Sequence, residues 1–356
     1  MLSGCSLFRN GTNQIKDGAV NPDGNISSDR VESVEIYNRT GKIQRKDCYG
    51  YSSGSASVDY SVIYSYDDSG RLVEVKKNGG GLGSNTPMET FMYSGDNCTQ
   101  HVIFDSNGST KQAVYYSYGK NGNLQKERTV TMIPSVSGYG YSGKTEEVTE
   151  YGEDGLAGEY FCSAPDGYSK DEFGYDSSGN LVTDNYYQSA DGETYLFLES
   201  RTYVYDESGK ALKETKTDAS GVAYYVRVYE YNDSGNLVSD TAYSSQDLSE
   251  KNRIFRFDYE YNQAGLVSFE LYVCGNESKQ TYYEYDGQGC CTCISENRYS
   301  SGSLKGTSVT RTEYDSYCSP VKETLIRDDG TERVNFHSEY EYYDDGEVRK
   351  KTDFCV

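Results

Sequence analysis

The run Gly-Cys-Cys-Thr-Cys at residues 289–293 groups three cysteines, and clustered thiols can hold a metal ion or form disulfides. Tetrahedral zinc sites usually take two Cys-x-x-Cys pairs or histidine ligands. Cys290 and Cys293 have this spacing, but the sequence has no second Cys-x-x-Cys pair and the run has no histidine. A zinc site is therefore the less favoured interpretation. Disulfide formation and ordinary packed thiols remain open.

The two histidines, His101 and His337, lie far apart, and neither has a serine or cysteine in a recognisable nucleophile setting. Carboxylates are abundant, but Asp67, Asp176 and Asp206 each occupy a turn-opening position, which accounts for them structurally. These turns resemble calcium loops but lack the terminal bidentate glutamate. The sequence predicts a protein that is not an enzyme and has no metal and no cofactor.

A different chemistry is indicated by Leu-Ser-Gly-Cys-Ser at Leu2–Ser6, which resembles a bacterial lipobox. We expect Cys5 to receive lipid and residues 1–5 to be the remnant of a lipoprotein signal peptide, with an in-frame extension upstream. Residues 6–30 are polar and rich in Gly, Asn and Asp, which predicts a flexible linker. The expected location is the bacterial cell surface, with membrane attachment through the lipid only.

Composition limits the partners. The chain has 56 acidic and 34 basic residues, a formal charge of −22, which opposes binding to nucleic acid because that requires a basic face. Hydrophobic residues make up only 35% of the chain, and 38 residues are tyrosine. Tyrosine must therefore supply much of the packed surface.

Tyrosine also marks an internal repeat, in which "YEYNDSGNLV" at residues 229–238 returns as "YEYNQAGLV" from residue 259. Twelve marker tyrosines precede the recurring turn: Tyr37, Tyr66, Tyr93, Tyr118, Tyr151, Tyr175, Tyr205, Tyr231, Tyr261, Tyr285, Tyr314 and Tyr342. They span 305 residues in eleven intervals, a mean of about 28. We therefore expect about twelve repeats within residues 31–356, which form a single repeat domain.

Each copy of the repeat is expected to form one β-hairpin. Tyrosines two residues apart share one face of a strand, and the Asp or Asn that follows bonds its own backbone to open a turn. The glycine that follows suits a left-handed conformation, as at Gly70, Gly179, Gly209, Gly235, Gly265 and Gly289. The expected fold class is all-β, a continuous antiparallel β-hairpin repeat sheet or solenoid.

This architecture carries two further expectations. The markers Tyr205, Tyr231, Tyr261 and Tyr285 should lie in a row on one face, with neighbouring rings in contact. The sheet should have open ends, and residues 349–351, Arg-Lys-Lys, should protect the last strand from edge pairing.

When the repeats are aligned with one another, the cysteines fall at ordinary strand and turn positions. Cys318 takes the place of the turn glycine one repeat after Cys290, so stacked repeats would bring the two together. A Cys290–Cys318 disulfide is one interpretation, and small half-buried thiols are the simpler one.

The pattern Tyr-x-Tyr-Asp-x-x-Gly-x-Leu, most complete at Tyr64–Val75, resembles the YD repeats of Rhs-type proteins and teneurins, in the short form found on bacterial surfaces. The resemblance covers about residues 31–350. It implies hairpins that wind into a spiral sheet, which in some members closes into a shell around a toxin.

Two longer segments, residues 76–89 and 129–146, interrupt the spacing as candidate variable loops. Asn85, Tyr139 and Tyr141 within them are candidate binding residues, and Gly80 should tolerate substitution. Tyrosine faces are a second candidate surface, because aromatic rings stack on sugars and occur in protein interfaces. The sequence leaves two alternative functions. The first is a surface-anchored protein that binds a glycan or a protein. The second is an Rhs-like toxin-system component, which would act as a shell fragment or as an immunity or assembly partner.

Overall fold

The computed structural model describes residues 31–52, 55–80, 82–135, 140–344 and 346–354, which form one antiparallel sheet of 24 strands. Cys5, the linker at residues 6–30 and Tyr139 lie outside the described residues. A short 3-10 helix at Glu250–Asn252 precedes the seventeenth strand.

The strands in chain order are β1 (Val31–Tyr37), β2 (Ile43–Ser52), β3 (Ser55–Tyr66), β4 (Leu72–Gly79), β5 (Leu82–Ser94), β6 (Asn97–Phe104), β7 (Thr110–Tyr118), β8 (Leu124–Pro134), β9 (Tyr141–Tyr151), β10 (Ala157–Ala164), β11 (Gly167–Tyr175), β12 (Leu181–Ser189), β13 (Leu196–Tyr205), β14 (Ala211–Asp218), β15 (Ala223–Tyr231), β16 (Leu237–Tyr243), β17 (Arg253–Tyr261), β18 (Val267–Cys274), β19 (Glu277–Tyr285), β20 (Cys291–Ser300), β21 (Ser303–Tyr314), β22 (Pro320–Arg327), β23 (Glu332–Tyr342) and β24 (Val348–Phe354). Each odd-numbered strand ends at a marker tyrosine or one residue beyond it.

The turn after each marker is built as the sequence chemistry requires. After Tyr231, the Asn232 side-chain oxygen accepts the backbone N–H groups of Ser234 and Asn236, at 3.1 and 2.9 Å. The Gly235 N–H donates to the Asn232 carbonyl at 2.8 Å, and Gly235 has a φ of +80°. That value lies in the left-handed region, which glycine adopts without steric cost.

The first and last strands pair with each other, so the sheet is a closed barrel and not an open solenoid. Ser33 is in register with Asp353, and Glu35 with Lys351. The predicted edge protection is therefore wrong, because β24 presents no free edge: Lys350 pairs with Ile36 in the same ladder.

The barrel wall is a single layer. Substantial contacts between described strands are all between neighbours around the ring. Among the described residues, those that are apolar and buried are few and mostly small: Val62, Val75, Ala113, Val114, Ala223, Val226, Ala242 and Cys290. Stability must therefore come from strand pairing and from contacts between successive hairpins rather than from a central core.

Hydroxyl groups of the marker tyrosines supply one such contact. Tyr205, Tyr231, Tyr261 and Tyr285 donate to the backbone carbonyls of Leu181, Ala211, Leu237 and Val267 in the preceding hairpins, at 2.7, 2.9, 2.7 and 2.8 Å. The four rings thus occupy equivalent positions on one face. The predicted ring-to-ring contact within this row is absent from the described aromatic pairs, because markers two strands apart are separated by about 10 Å.

A second contact joins successive hairpins at the conserved turns. The residue five places after one marker meets the turn glycine of the next repeat: Lys210 Nζ donates to the Gly235 carbonyl at 3.0 Å. Cys290 and Cys318 occupy this same pair of positions and form a disulfide, with Cα atoms 6.5 Å apart. Cys318 has a φ of +64°, as its glycine position requires.

The two segments predicted as variable loops are mostly strand. Residues 76–89 complete β4 and begin β5, and residues 129–146 complete β8 and begin β9. Gly80 lies between β4 and β5 and has a φ of +76°, where a side chain is strained, so its expected tolerance of substitution is wrong. Most of the described residues in the two segments therefore extend the strands.

Candidate functional site

The sheet has two chemically different faces. Residues immediately before the markers are strongly exposed, for example Met92 at 59% and Val204 at 53%. The marker tyrosines on the opposite face are mostly half-buried. Side chains converge inside a closed sheet and spread apart outside it, so the tyrosine set forms the inner face.

The inner face encloses a wide space. With 24 strands spaced about 4.8 Å apart, the ring has a circumference of about 115 Å and a diameter of roughly 35 Å or more between backbones. Because no second layer of the described residues fills this width, inner-face side chains are accessible to a ligand from within.

Carboxylates recur on the inner face at the ninth residue after many markers: Glu127, Asp184, Glu214, Asp240, Glu270 and Glu323. In register, Tyr229 lies opposite Asp240 and Tyr259 opposite Glu270. Asp240 is buried and held by Arg227, whose Nε donates to Oδ1 at 2.7 Å. At Asp240 the inner face therefore combines aromatic rings with a carboxylate whose charge is compensated locally.

One pair of carboxyl groups is not compensated in this way. Burial and the neighbouring carboxylate of Asp184 raise the pKa of Asp171 to about 6. Burial also raises the pKa of Asp184, although Arg201 lies 3.6 Å away and opposes the shift. Each of the two carboxyl groups therefore keeps its proton to a higher pH than an ordinary aspartate does.

The densest aromatic group on the inner face lies towards the barrel end opposite the conserved turns. Phe257 meets Tyr272 with ring centroids 4.7 Å apart, and Phe255 at 5.7 Å with the planes at 71°. Arg227 covers the Phe255 ring, with its Cζ 5.5 Å from the centroid. Beside these rings is a hollow of about 520 Å³, here called the aromatic hollow, lined by Phe255, Phe257, Tyr272, Glu277, Ser278, Lys279, Arg298 and Tyr299.

A second hollow of about 710 Å³ lies at the junction of β1 and β24. Its polar groups bond one another: Ser338 Oγ donates to Asp353 at 2.6 Å, and Lys46 Nζ donates to Glu35 at 2.8 Å. Burial alone would raise the pKa of Glu35, but the hydrogen bonds from Lys46 and Tyr37 and the positive charges of Lys46 and Lys351 outweigh it and lower this pKa. Because these groups close the ring, we assign the second hollow a structural role.

The structure does not bring the sequence-predicted binding residues together. Asn85 is exposed in β5 with a φ of +65°. Tyr141 begins β9, and its hydroxyl donates to Asp105 at 2.7 Å, which raises the pKa of Tyr141. The two residues lie four strands apart around the ring, and Tyr139 is outside the described residues.

Sequence reasoning missed the aromatic hollow, although its signal is present. The stretch Phe-Arg-Phe-Asp-Tyr-Glu-Tyr at Phe255–Tyr261 alternates strictly, so its four aromatic rings share one face of β17. The histidines lie elsewhere. His101 Nε2 bonds Glu89 at 2.9 Å and stacks on Phe91, whereas His337 stacks on Phe354.

No family model and no curated protein matches the chain. Among solved structures, the Photorhabdus luminescens Tc holotoxin pore is 12% identical with a TM-score of 0.24, over 92% of this chain and 24% of that one. The TcdB2–TccC3 complex gives the same identity and TM-score, over 90% of this chain and 25% of its own. A porin-like protein from Bacteroides uniformis is 10% identical with a TM-score of 0.26, over 86% and 96% of the two chains.

The chain therefore spans about a quarter of the length of the toxin chains that it matches. These likenesses identify no function. As far as the structure describes residues 31–354, no helical segment is long and apolar enough to span a lipid bilayer.

Proposed function

We propose that the protein is a non-enzymatic, surface-anchored repeat protein of the YD-like type, which binds a glycan or a protein partner on the inner face of its barrel. The observation that carries the proposal is the aromatic hollow. The rings of Phe255, Phe257 and Tyr272 lie on the inner face, where no second layer of described residues covers them. Aromatic rings beside hydrogen-bonding charges are a common basis for molecular recognition.

The surroundings of the titratable groups favour binding over catalysis. His101 in β6 and His337 in β23 each stack on an aromatic ring. The turn carboxylates accept backbone N–H groups, as Asp67 does from Ser69 and Arg71. These groups have structural partners, and none forms a nucleophile, base and orienting group together.

Surface attachment through a lipid on Cys5 is the second part of the proposal, and the lipobox-like sequence around this residue supports it. Produced in its bacterial host, the protein should partition into the detergent phase, and Cys5→Ser should move it to the aqueous phase. Equal partitioning of the two forms would contradict lipid attachment.

The binding role is tested by two adjacent substitutions on β17. Phe255 faces inward, whereas Ile254 is 38% exposed on the outer face. The purified wild type, Phe255→Ala and Ile254→Ala would be applied to arrays of glycans and extracellular proteins. Loss of a ligand with Phe255→Ala but not with Ile254→Ala is the expected result. If both variants kept the ligand equally well, the inner face would not be the binding surface.

Closure of the sheet also favours a second candidate, an Rhs-like toxin-system component that acts as a shell fragment or an immunity or assembly partner. A closed barrel of 24 strands leaves an interior wide enough for a polypeptide segment. Native mass spectrometry of the protein purified from its host tests this idea. A stoichiometric polypeptide that stays bound would favour the toxin-system role over the glycan-binding one.

A further inference from the structure

We propose that the aromatic hollow is a carbohydrate site and that its ligand is a neutral pyranose at the end of an oligosaccharide chain. The inference rests on the proposed function and narrows it to one class of ligand. Its basis is the combination of aromatic rings set at an angle, a rim without net charge and a position inside the barrel.

The first step is the shape of the aromatic wall. Phe255 and Phe257 meet at 71°, and Tyr272 lies against Phe257 at a tilt of 38°. The three rings therefore form a corner rather than a flat plate. A pyranose has one apolar face of C–H groups and a polar perimeter, so its face can pack on one ring while its edge meets the other.

The second step is the charge on the rim. Lys279 and Arg298 lie opposite each other in β19 and β20, and like charges in this position repel. Both reach Glu296, at 2.9 and 3.0 Å. Glu277 lines the same hollow and accepts a hydrogen bond from Ser300 Oγ. Glu296 is not part of the lining itself, but it pairs with both lining cations, so this group of two cations and two carboxylates has no net charge.

A neutral rim of alternating donors and acceptors suits hydroxyl groups, because each hydroxyl both donates and accepts. A charged ligand would meet a group of its own sign here, at a cost in affinity. This distinguishes a neutral sugar from a uronic acid or a basic peptide.

The third step is access. The hollow has about 520 Å³, within the range of small-ligand sites, and lies on the concave side of a closed wall. A folded partner usually buries about 800 Å² of each surface, which is more than the eight residues that line the hollow present. A narrow oligosaccharide can enter from the barrel end and reach the rings.

The test is isothermal titration of the full chain with cellopentaose, laminaripentaose, maltopentaose and mannopentaose, with pentagalacturonate as the acidic counterpart. A double substitution, Phe257→Ala with Tyr272→Ala, removes the inner wall. The matched control is Phe269→Ala with Tyr282→Ala, an aromatic pair with centroids 5.0 Å apart on the outer face of β18 and β19. Circular dichroism confirms folding, and Tyr272→Phe, which retains the ring, serves as a second variant.

We expect at least one neutral pentaose to bind, and the inner double variant to raise its Kd about tenfold or more while the outer control leaves it unchanged. Tyr272→Phe should raise the Kd by a smaller factor. Preference for pentagalacturonate, equal effects of the two double variants, or no saccharide binding would each overturn the inference. If no saccharide binds but a protein is captured through Phe255, the proposed function survives and this inference fails.

Discussion

The phenol of Tyr231 donates a hydrogen bond to the backbone carbonyl of Ala211, 2.9 Å away in the preceding hairpin. The same bond joins Tyr261 to Leu237 and Tyr314 to Cys291, at 2.7 and 2.9 Å. It explains why the repeat uses tyrosine rather than phenylalanine at this position. The ring fills the inner face, and its hydroxyl satisfies a carbonyl where one strand of the preceding hairpin begins.

Tyr231→Phe should therefore destabilise the protein by about 0.5–1.5 kcal/mol, because the Ala211 carbonyl loses its partner and the ring remains. Urea unfolding measures this change. Tyr115 is a suitable control, since its side chain is 39% exposed on the outer face. If Tyr115→Phe lowered the free energy of unfolding as much as Tyr231→Phe does, the hydrogen bond between hairpins would not contribute specifically to stability.

Gly235→Val should cost about 1–3 kcal/mol, because a branched side chain is strained at a positive φ. The φ of Gly235 is +80°, and an added Cβ would also meet the Lys210 ammonium that bonds the Gly235 carbonyl. Gly158 lies in strand β10, where an added Cβ comes no closer than 3.8 Å to the Glu150 carbonyl oxygen. Gly158→Val should lower the melting temperature much less, and equal shifts would contradict the strain account.

The Cys290–Cys318 disulfide replaces the hydrogen bond that Lys210 makes to Gly235 elsewhere in the ring. Cys290→Ser should therefore cost about 2–4 kcal/mol under oxidising conditions and little in the presence of a reductant. Adding Cys318→Gly should recover part of the loss, because glycine accepts the φ of +64° at this position. Cys293→Ser, which removes a free thiol, is the control. A loss that persists under reduction would point to packing rather than to the disulfide.

The hairpins could be read from the sequence because their determinants are local. Two residues, Asn232 and Gly235, specify the turn that joins β15 to β16, and alternation fixes which rings share a face. The neighbourhood of Cys290 and Cys318 followed from the same frame, since one repeat stacks on the next.

Closure could not be read in this way, because it depends on the twist accumulated over the whole ring. The contact of Ser33 Oγ with Asp353 at 3.2 Å joins residues at opposite ends of the repeat domain, and no local signal pairs them. Lys351 therefore suggested a protected edge, although it faces Glu35 in a ladder. The aromatic hollow was missed for a related reason. Tyr272 and Arg298 line the same hollow as Phe257 only because of the register of four strands.

Asp171 gives the last prediction, on pH dependence. Burial first and repulsion from Asp184 second raise its pKa from an ordinary 3.8 to about 6. Because the pKa of Asp171 is higher in the folded than in the unfolded protein, protonation of this group stabilises the fold. This stabilisation is complete below pH 3.8 and is lost as the pH rises through about 6.

Asp171→Asn should therefore raise the free energy of unfolding at pH 7.5 by about 1 kcal/mol, after discounting for solvent screening, and change it little at pH 4. Glu172 on the outer face provides a control of opposite sign. The hydrogen bond from Lys170 lowers the pKa of Glu172 below 4.5, so its contribution is present above that pH and lost on acidification. Glu172→Gln should thus destabilise at pH 7.5 and be neutral near pH 3. Urea unfolding of both variants across this pH range tests these expectations. Parallel pH profiles for Asp171→Asn and the wild type would contradict the raised pKa of Asp171.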